Sequence, residues 1–515
     1  MAKNKKPHEK NTLSQASNNS QGNTKKLAQF KTQIITLYQQ GKTQAALQLS
    51  EQALEQFPQD LTLSRNAVGF ADILGNSILF EKYTLQTLKI NPNDADMHYN
   101  LANVLRGKGQ LTDAQTHYRT ALKLNPNGAD AHNNLANILK DQGQLTKAKT
   151  HYQAALQIHP NYVDAHYNLA NLLQDQKQFT EAQTHYQTAL KLNPNYVTTH
   201  WDLSILFLTL GNFQQGWKSY EFRYHPNRKN NQSTPLKTSI PHYQGEDLNG
   251  KNILVYREQG LGDEIQFIRY LPLLKSQKGV KRITLVCKPA LKKLFSSMAC
   301  IDHLFNEEEL KHTDTQGLHY WVLNMSLPLH FNTTINTIPN QLPYLSPPQQ
   351  EQDNWQNKLP SGFNIGLVWK GSSKHKNDKN RSLPSLKTLA PLWQTKNNLN
   401  FISLQKGAGE EEAQNPPFNQ PLTHLGNQIQ DFADTAAILP QLDLVICVDT
   451  AIAHLAGALN IPCWVLLPDY RTDWRWMLDR TDTPWYPNTL RLFRQTTDGD
   501  WDGVIDKVVE ALYHL

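Results

Sequence analysis

Asp263 is the first residue that points to chemistry. It lies in the stretch Arg257-Glu258-Gln259-Gly260-Leu261-Gly262-Asp263-Glu264, which follows the apolar run Asn252-Ile253-Leu254-Val255-Tyr256 and precedes a helical pattern over 265–275. Strand, glycine-bearing turn and helix bring a side chain to the carboxyl edge of a parallel sheet. A carboxylate placed there can take a proton from a hydroxyl. The turn is neither of two common nucleotide cradles, because it lacks Gly-Lys-Ser/Thr and carries Ile265 where the dinucleotide fingerprint needs its last glycine. A second set of groups lies further on. The runs Ile365-Gly366-Leu367-Val368-Trp369, Asn400-Phe401-Ile402-Ser403-Leu404 and Leu442-Asp443-Leu444-Val445-Ile446-Cys447-Val448 read as strands, and they deliver Lys370, Gln405-Lys406 and Asp449-Thr450 to one sheet edge. A helix over 451–459 follows Thr450, and its free N–H groups and positive dipole end suit a phosphate.

Each residue also has a plainer reading. Asp263 can cap the helix that follows it. Lys370 can be a solvated strand-end lysine, and His454, one turn inside an apolar helix, can be a core histidine. Trp474-Arg475-Trp476 can stack on a base or sugar and clamp phosphate, or it can pack a returning terminal segment between two halves. Five of the 11 tryptophans fall between 464 and 501, which favours packing.

The stretch Val448-Asp449-Thr450-Ala451-Ile452-Ala453-His454-Leu455-Ala456-Gly457-Ala458-Leu459 resembles the nucleotide-sugar motif of glycosyltransferase family 9, the heptosyltransferases, with Ala451 where that motif has glycine. Gly262-Asp263 is similar to the family's Gly-Asp. Further blocks resemble a bacterial subfamily that fuses tetratricopeptide repeats to such a domain: Asp431-Phe432-Ala433-Asp434-Thr435-Ala436-Ala437, Asp473-Trp474-Arg475-Trp476, Pro484-Trp485-Tyr486-Pro487 and Arg491-Leu492-Phe493-Arg494-Gln495. The match spans about 241–515. It implies a GT-B module, two Rossmann-like domains facing across a cleft, with no required metal or cofactor and a nucleotide sugar as co-substrate. Under it Asp263 is the base of an inverting transfer, and His454 polarises a phosphate or acceptor oxygen. The donor is held by Lys370, Arg381, Gln405, Lys406, Asp449, Thr450, Ala451 and Arg475.

The elements upstream repeat every 34 residues. Prolines stand at 58, 92, 126, 160 and 194, and Gly41, Gly75, Gly109, Gly143 and Gly211 keep the same phase, with Lys177 at the missing step. Asn-Leu-Ala-Asn occurs at 100–103, 134–137 and 168–171. Two apolar helical stripes per unit, separated by glycine and closed by proline, resemble the tetratricopeptide repeat. About six units form a superhelix with a concave face. The ladder Asn100, Asn103, Asn134, Asn137, Asn168 and Asn171 also resembles that of the O-GlcNAc transferases, which implies that it hydrogen-bonds an extended peptide acceptor. Equally, these amides can tie neighbouring repeats together. Histidines in two registers (His98, His132, His166, His200 and His117, His151, His185) follow from the duplication rather than from a metal array.

The chain is thus read as multidomain, an all-α superhelix followed by an α/β GT-B module. The expected boundaries are a disordered basic tail at 1–24, repeats at 25–224, a polar linker at 225–241, and Rossmann-like domains at 242–350 and 360–515. Lys plus Arg exceeds Asp plus Glu, 51 to 45, for a net +6. Six lysines against one glutamate lie in the first 26 residues, so the excess belongs to the tail and no basic face for nucleic acid is implied. Cys287, Cys300, Cys447 and Cys463 form no CxxC pair, which argues against a zinc cluster or disulfide framework. No apolar run reaches membrane-spanning length, and a cytoplasmic location is expected.

Overall fold

The computed structural model describes residues 9–228, 236, 238–395, 398–416 and 420–515, with side chains from Gly22 onward. The chain divides into two compact units, Met1–Pro194 and Asn195–Leu515.

The first unit is a solenoid of helix pairs. The four pairs after the first are Leu61–Ile73 with Ser77–Ile90, Ala95–Gly107 with Leu111–Leu124, Ala129–Asp141 with Leu145–Ile158, and Val163–Asp175 with Phe179–Leu192. Each first helix of the central repeats buries its Leu-Ala step (Leu101-Ala102, Leu135-Ala136, Leu169-Ala170). Each second helix buries Ala, Tyr and Ala at i, i+4 and i+7, as in Ala148, Tyr152 and Ala155. The turn inside each pair needs a left-handed residue, and Gly109 (φ 76°) and Gly143 (φ 74°) supply it; Lys177 adopts φ 60° where the glycine is missing. The opening pair is Glu9–Gln39 with Thr43–Gln56. Its helix carries the backbone through 9–24, where composition argued for a disordered tail; the other eight tail residues lie outside the described ones. Helix extension from a packed end needs no new nucleus, which composition alone does not register.

The second unit begins with one more helix pair, Val197–Thr209 and Phe213–Tyr220. Sequence period assigned this pair to the solenoid. Its buried aromatics also pack into the α/β core, where Phe213, Trp217 and Tyr220 are buried among Phe267, Trp474 and Trp485. Of the expected linker, 229–235 and 237 lie outside the described residues. Two parallel sheets follow. The first contains β1 (Asn252–Tyr256), β2 (Arg282–Val286), β3 (His303–Phe305) and β4 (Tyr320–Leu323) in the order β3-β2-β1-β4. The second contains β5 (Phe363–Val368), β6 (Leu399–Ser403), β7 (Thr423–His424), β8 (Leu444–Val448), β9 (Cys463–Leu467) and β10 (Leu490–Arg494) in the order β10-β9-β8-β5-β6-β7. Strand order reverses beside β1 in the first sheet and beside β5 in the second. Such switch points open a crevice beyond the carboxyl ends of the strands. The crevices are flanked by the loops after β1 and β4, and by those after β5 and β8.

Candidate functional site

Asp263 sits in the first turn of the helix Leu261–Phe267, and its Oδ2 accepts the Gly260 N–H at 2.6 Å, so the carboxylate caps the turn. Its other oxygen receives the Arg475 guanidinium. Arg475 is buried and spends its remaining donors on Gln266 Oε1 (2.6 Å) and Asp473 (3.0 Å). Burial pushes the Asp263 carboxyl above its ordinary value, Arg475 pulls against that, and Asp473 adds to the rise. The Asp473 carboxyl is also pushed up by burial, but Arg475 outweighs this and holds it below its usual range.

The helix Ala451–Ala458 faces this turn. Thr450 is its N-cap residue, with extended backbone and no side-chain cap bond. A Cβ on Gly262 would lie 2.7 Å from His454 Cδ2 and 3.4 Å from the Ala451 Cα, so only glycine lets the two turns approach this closely. His454 is buried, stacked on Trp476, and bonded through Nδ1 to the Tyr486 hydroxyl at 3.0 Å. Burial and the Arg475 charge hold its imidazole neutral, down to about 3. Asp449 is pushed up to about 6 by burial and by Asp473, against the pull of Arg381. Arg381 donates to the Asp449 carbonyl at 3.0 Å. Asp263, Arg475, Asp473, Asp449 and Arg381, with the neutral His454, thus lie together where the helix Leu261–Phe267 meets the start of the helix Ala451–Ala458, whose first N–H groups have no side-chain cap among the described residues.

The other residues expected at the donor have partners within the chain. Gln405 Oε1 accepts from Trp369 N (2.9 Å) and Lys370 N (3.0 Å), while its Nε2 donates to the Lys370 carbonyl (3.1 Å) and the Ala408 carbonyl (2.7 Å). Read from sequence as a donor contact, it pins the loop after β5 to the loop after β6. Lys406 is exposed and turns to the Gly426 carbonyl at 3.2 Å. Lys370 pairs with Glu412 at 2.9 Å. Trp474 and Trp476 are buried packing residues, as the plainer reading had them. Sequence reasoning missed Tyr486, which holds His454, and gave Asp473 no role. Asp473 did carry a signal. An acid two residues before Arg475 can cap the short turn Trp474–Trp476, and Asp473 accepts the Arg475 N–H at 2.9 Å.

In the solenoid, the buried hydroxyls of Tyr118, Tyr152 and Tyr186 donate to Oδ1 of Asn103 (2.5 Å), Asn137 (2.6 Å) and Asn171 (2.8 Å). Asn134 donates to Asn103 Oδ1 at 3.2 Å and Asn168 donates to Asn133 Oδ1 at 3.0 Å, so amides also tie successive repeats. Asn100 makes no side-chain hydrogen bond among the described residues. The histidines pair within repeats, Nδ1 to Nδ1, at 2.9 Å for His98–His117 and 2.8 Å for both His132–His151 and His166–His185. Nε2 of His98, His132 and His166 bonds to the carbonyls of Pro92, Pro126 and Pro160 at 2.9, 3.1 and 2.9 Å.

Family models for the TPR repeat match 102–143 and 136–177, and those for the tetratricopeptide repeat match 163–196 and 83–116. Residues 83–196 are tetratricopeptide repeats. The chain is 28% identical over 335 residues to Protein FlbA of Caulobacter vibrioides (strain ATCC 19089 / CIP 103742 / CB 15), a match covering 60% of this chain and 53% of FlbA. It therefore spans about half the length of that curated relative. Among solved structures, YrrB, described as a TPR protein with an unusual peptide-binding site, is 20% identical, with TM-score 0.30 over 33% of this chain and 88% of its own. PilF of Pseudomonas aeruginosa is 15% identical, with TM-score 0.33 over 39% of this chain and 90% of its own. No helix among the described residues is long and apolar enough to cross a membrane.

Proposed function

We propose that the second unit is a metal-independent, inverting glycosyltransferase of GT-B type. It moves a sugar from a nucleotide diphosphate to an acceptor hydroxyl, with the repeats holding a protein acceptor. The observation that carries this is the placement of the Gly262-Asp263 turn against the start of the helix Ala451–Ala458, with Arg475 beside the carboxylate. The acceptor oxygen attacks the anomeric carbon and its proton passes to Asp263. The bond from that carbon to the diphosphate oxygen breaks, and the leaving group keeps the electron pair. Free N–H groups at Thr450-Ala451, together with Arg475 and Arg381, stabilise the charge that develops on it. A carboxyl raised by burial is a better proton acceptor than an exposed one, and departure of Arg475 to the diphosphate would sharpen that. The neutral His454 offers a hydrogen bond to an acceptor or phosphate oxygen.

The acceptor class rests on the repeats. Tyr152 and Tyr186 hold Oδ1 of Asn137 and Asn171, which orients the amide N–H groups for the carbonyls of an extended peptide. A glycan or lipid-linked acceptor, with the repeats recruiting a partner protein, is the second reading, favoured by the amides already spent between repeats.

The test incubates the full chain with radiolabelled UDP-, GDP-, ADP- and CMP-sugars and follows hydrolysis or transfer. One donor should turn over, and Asp263→Asn should slow it by about 10²- to 10⁴-fold without abolishing nucleotide binding. Silence across the panel would leave a non-catalytic scaffold as the better account.

A further inference from the structure

The last helix pair also reaches the turn that carries Asp263. Arg223, in the short helix Glu221–Tyr224 that ends this pair, has no exposed surface. Its Nε and Nη2 form a bidentate pair with Glu258 at 2.6 and 2.7 Å, and Nη2 also donates to Ser326 Oγ at 2.7 Å. Its Nη1 donates to Glu221 Oε1 at 2.6 Å, and Glu221 accepts from Ser326 Oγ at 2.9 Å. Glu258 lies in the loop after β1, and Ser326 follows β4. These loops flank the switch point of the first sheet, where a doubly wound fold ordinarily seats a ligand. Here the chain's own guanidinium fills the crevice.

The next residue, Gln259, has φ 59°, a left-handed conformation that is strained for a residue with a Cβ and persists only where its surroundings impose it. Three contacts surround it. Its side chain donates to the Tyr220 hydroxyl at 3.1 Å, its carbonyl accepts from Lys288, and Glu258 beside it is held by Arg223. One residue on, Gly260 donates the N–H that fixes Asp263 Oδ2. The pair is itself seated firmly. Trp217 donates to the Thr333 carbonyl at 3.0 Å, and a Cβ on Gly211 would overlap Ile335 and Met477. A fully buried ion pair is weak evidence of stabilisation, since apolar replacements of both partners are often neutral or better. Its bidentate geometry does fix the direction of the loop.

We infer that Tyr220 and Arg223 are positioning residues: through Gln259 and Glu258 they impose the strained loop that aims the Asp263 carboxylate. The inference rests on the reading of Asp263 as base for its catalytic meaning, and on the loop geometry alone for the clamp. A repeat-derived helix pair is therefore a working part of the α/β unit, which explains why it packs there.

The test uses the full-length chain. Tyr220→Phe removes one hydroxyl from an otherwise apolar contact. The double change Arg223→Met with Glu258→Met removes the ion pair without leaving either charge of that pair buried alone. Amide hydrogen exchange, resolved to the peptide covering 257–264, should speed up at least threefold in Tyr220→Phe and at least tenfold in the double variant, while β8 and β9 stay protected. With a donor found by the screen, kcat should fall by the larger factor in each variant and KM for the donor should stay within twofold. Unchanged exchange at 257–264 in both variants overturns the clamp, and so does a rise in KM with kcat intact. Asp263→Asn is run beside them. If it turns over like the parent protein, the base reading fails, while the exchange result still decides the clamp.

Discussion

Replacing Glu264 by glutamine should change how the stability of the second unit depends on pH. Glu264 follows Asp263 and is buried. Its Oε2 accepts the Lys288 N–H at 3.0 Å, Oε1 has no hydrogen-bond partner among the described residues, and the Lys288 ammonium stands 3.8 Å away. The carboxyl borders a cavity of about 10 Å³ with Asn324 and Phe267, room for a single water at most. Burial pushes it up from 4.5 to about 7, against the opposing Lys288 N–H and ammonium. The folded chain therefore keeps a proton over this window that the unfolded chain has lost. The stabilisation is fully present below pH 4.5 and is lost as pH rises through 7. At about 1.4 kcal/mol per pH unit, the loss is about 2 kcal/mol by pH 6 and about 3 kcal/mol by pH 8. Glutamine keeps the Lys288 bond and does not titrate. Glu264→Gln should therefore match the parent near pH 4.5 and exceed it by about 3 kcal/mol at pH 8. All 11 tryptophans lie at or beyond Trp201, so urea unfolding followed by tryptophan fluorescence reads this unit by itself. A stability difference that stays constant from pH 5 to 8 refutes the reasoning.

Four further outcomes are expected. Trp217→Ala opens the junction core and breaks the bond to Thr333, costing about 3–5 kcal/mol by the same fluorescence assay; a loss under 1 kcal/mol would mean that the pair is not anchored there. In Gly457→Ala the new methyl lands in the Tyr486 ring, so the unit should lose about 1–3 kcal/mol and, under the proposed transferase reading, donor turnover should drop as Tyr486 releases His454. Asn137→Ala strips the partner from the buried Tyr152 hydroxyl, which should cost the solenoid about 1–3 kcal/mol by far-UV circular dichroism. Burial lowers the His117, His132, His151 and His185 imidazoles below 6.5, so the unfolded chain takes up more protons there; the thermal midpoint of the solenoid should fall as pH drops from 7 to 5, and glutamine at 117, 151 and 185 should flatten that fall.

Local periodicity was enough to determine much of this protein. A 34-residue spacing of proline and glycine specifies helix pairs, because each unit buries its stripe only against its neighbours. Runs such as 252–256 and 444–448 specify strands buried on both faces. The places of Asp449 and Thr450 at the end of β8, and of Asp263 in the turn and helix after β1, were legible because strand runs fix where the connecting turns begin. What each side chain spends its hydrogen bonds on was not legible, because partners such as Arg475 for Asp263 or Trp369 and Lys370 for Gln405 lie 212 and about 36 positions away. Only the packed chain decided that Gln405 braces two loops, and that the asparagine amides are partly committed between repeats. Likewise, the sixth helix pair keeps the repeat's period and also packs into the α/β core. Period records how a helix was duplicated, whereas Trp217, Tyr220 and Arg223 record what it now packs against, and burial favours the surface that removes the most apolar area from water.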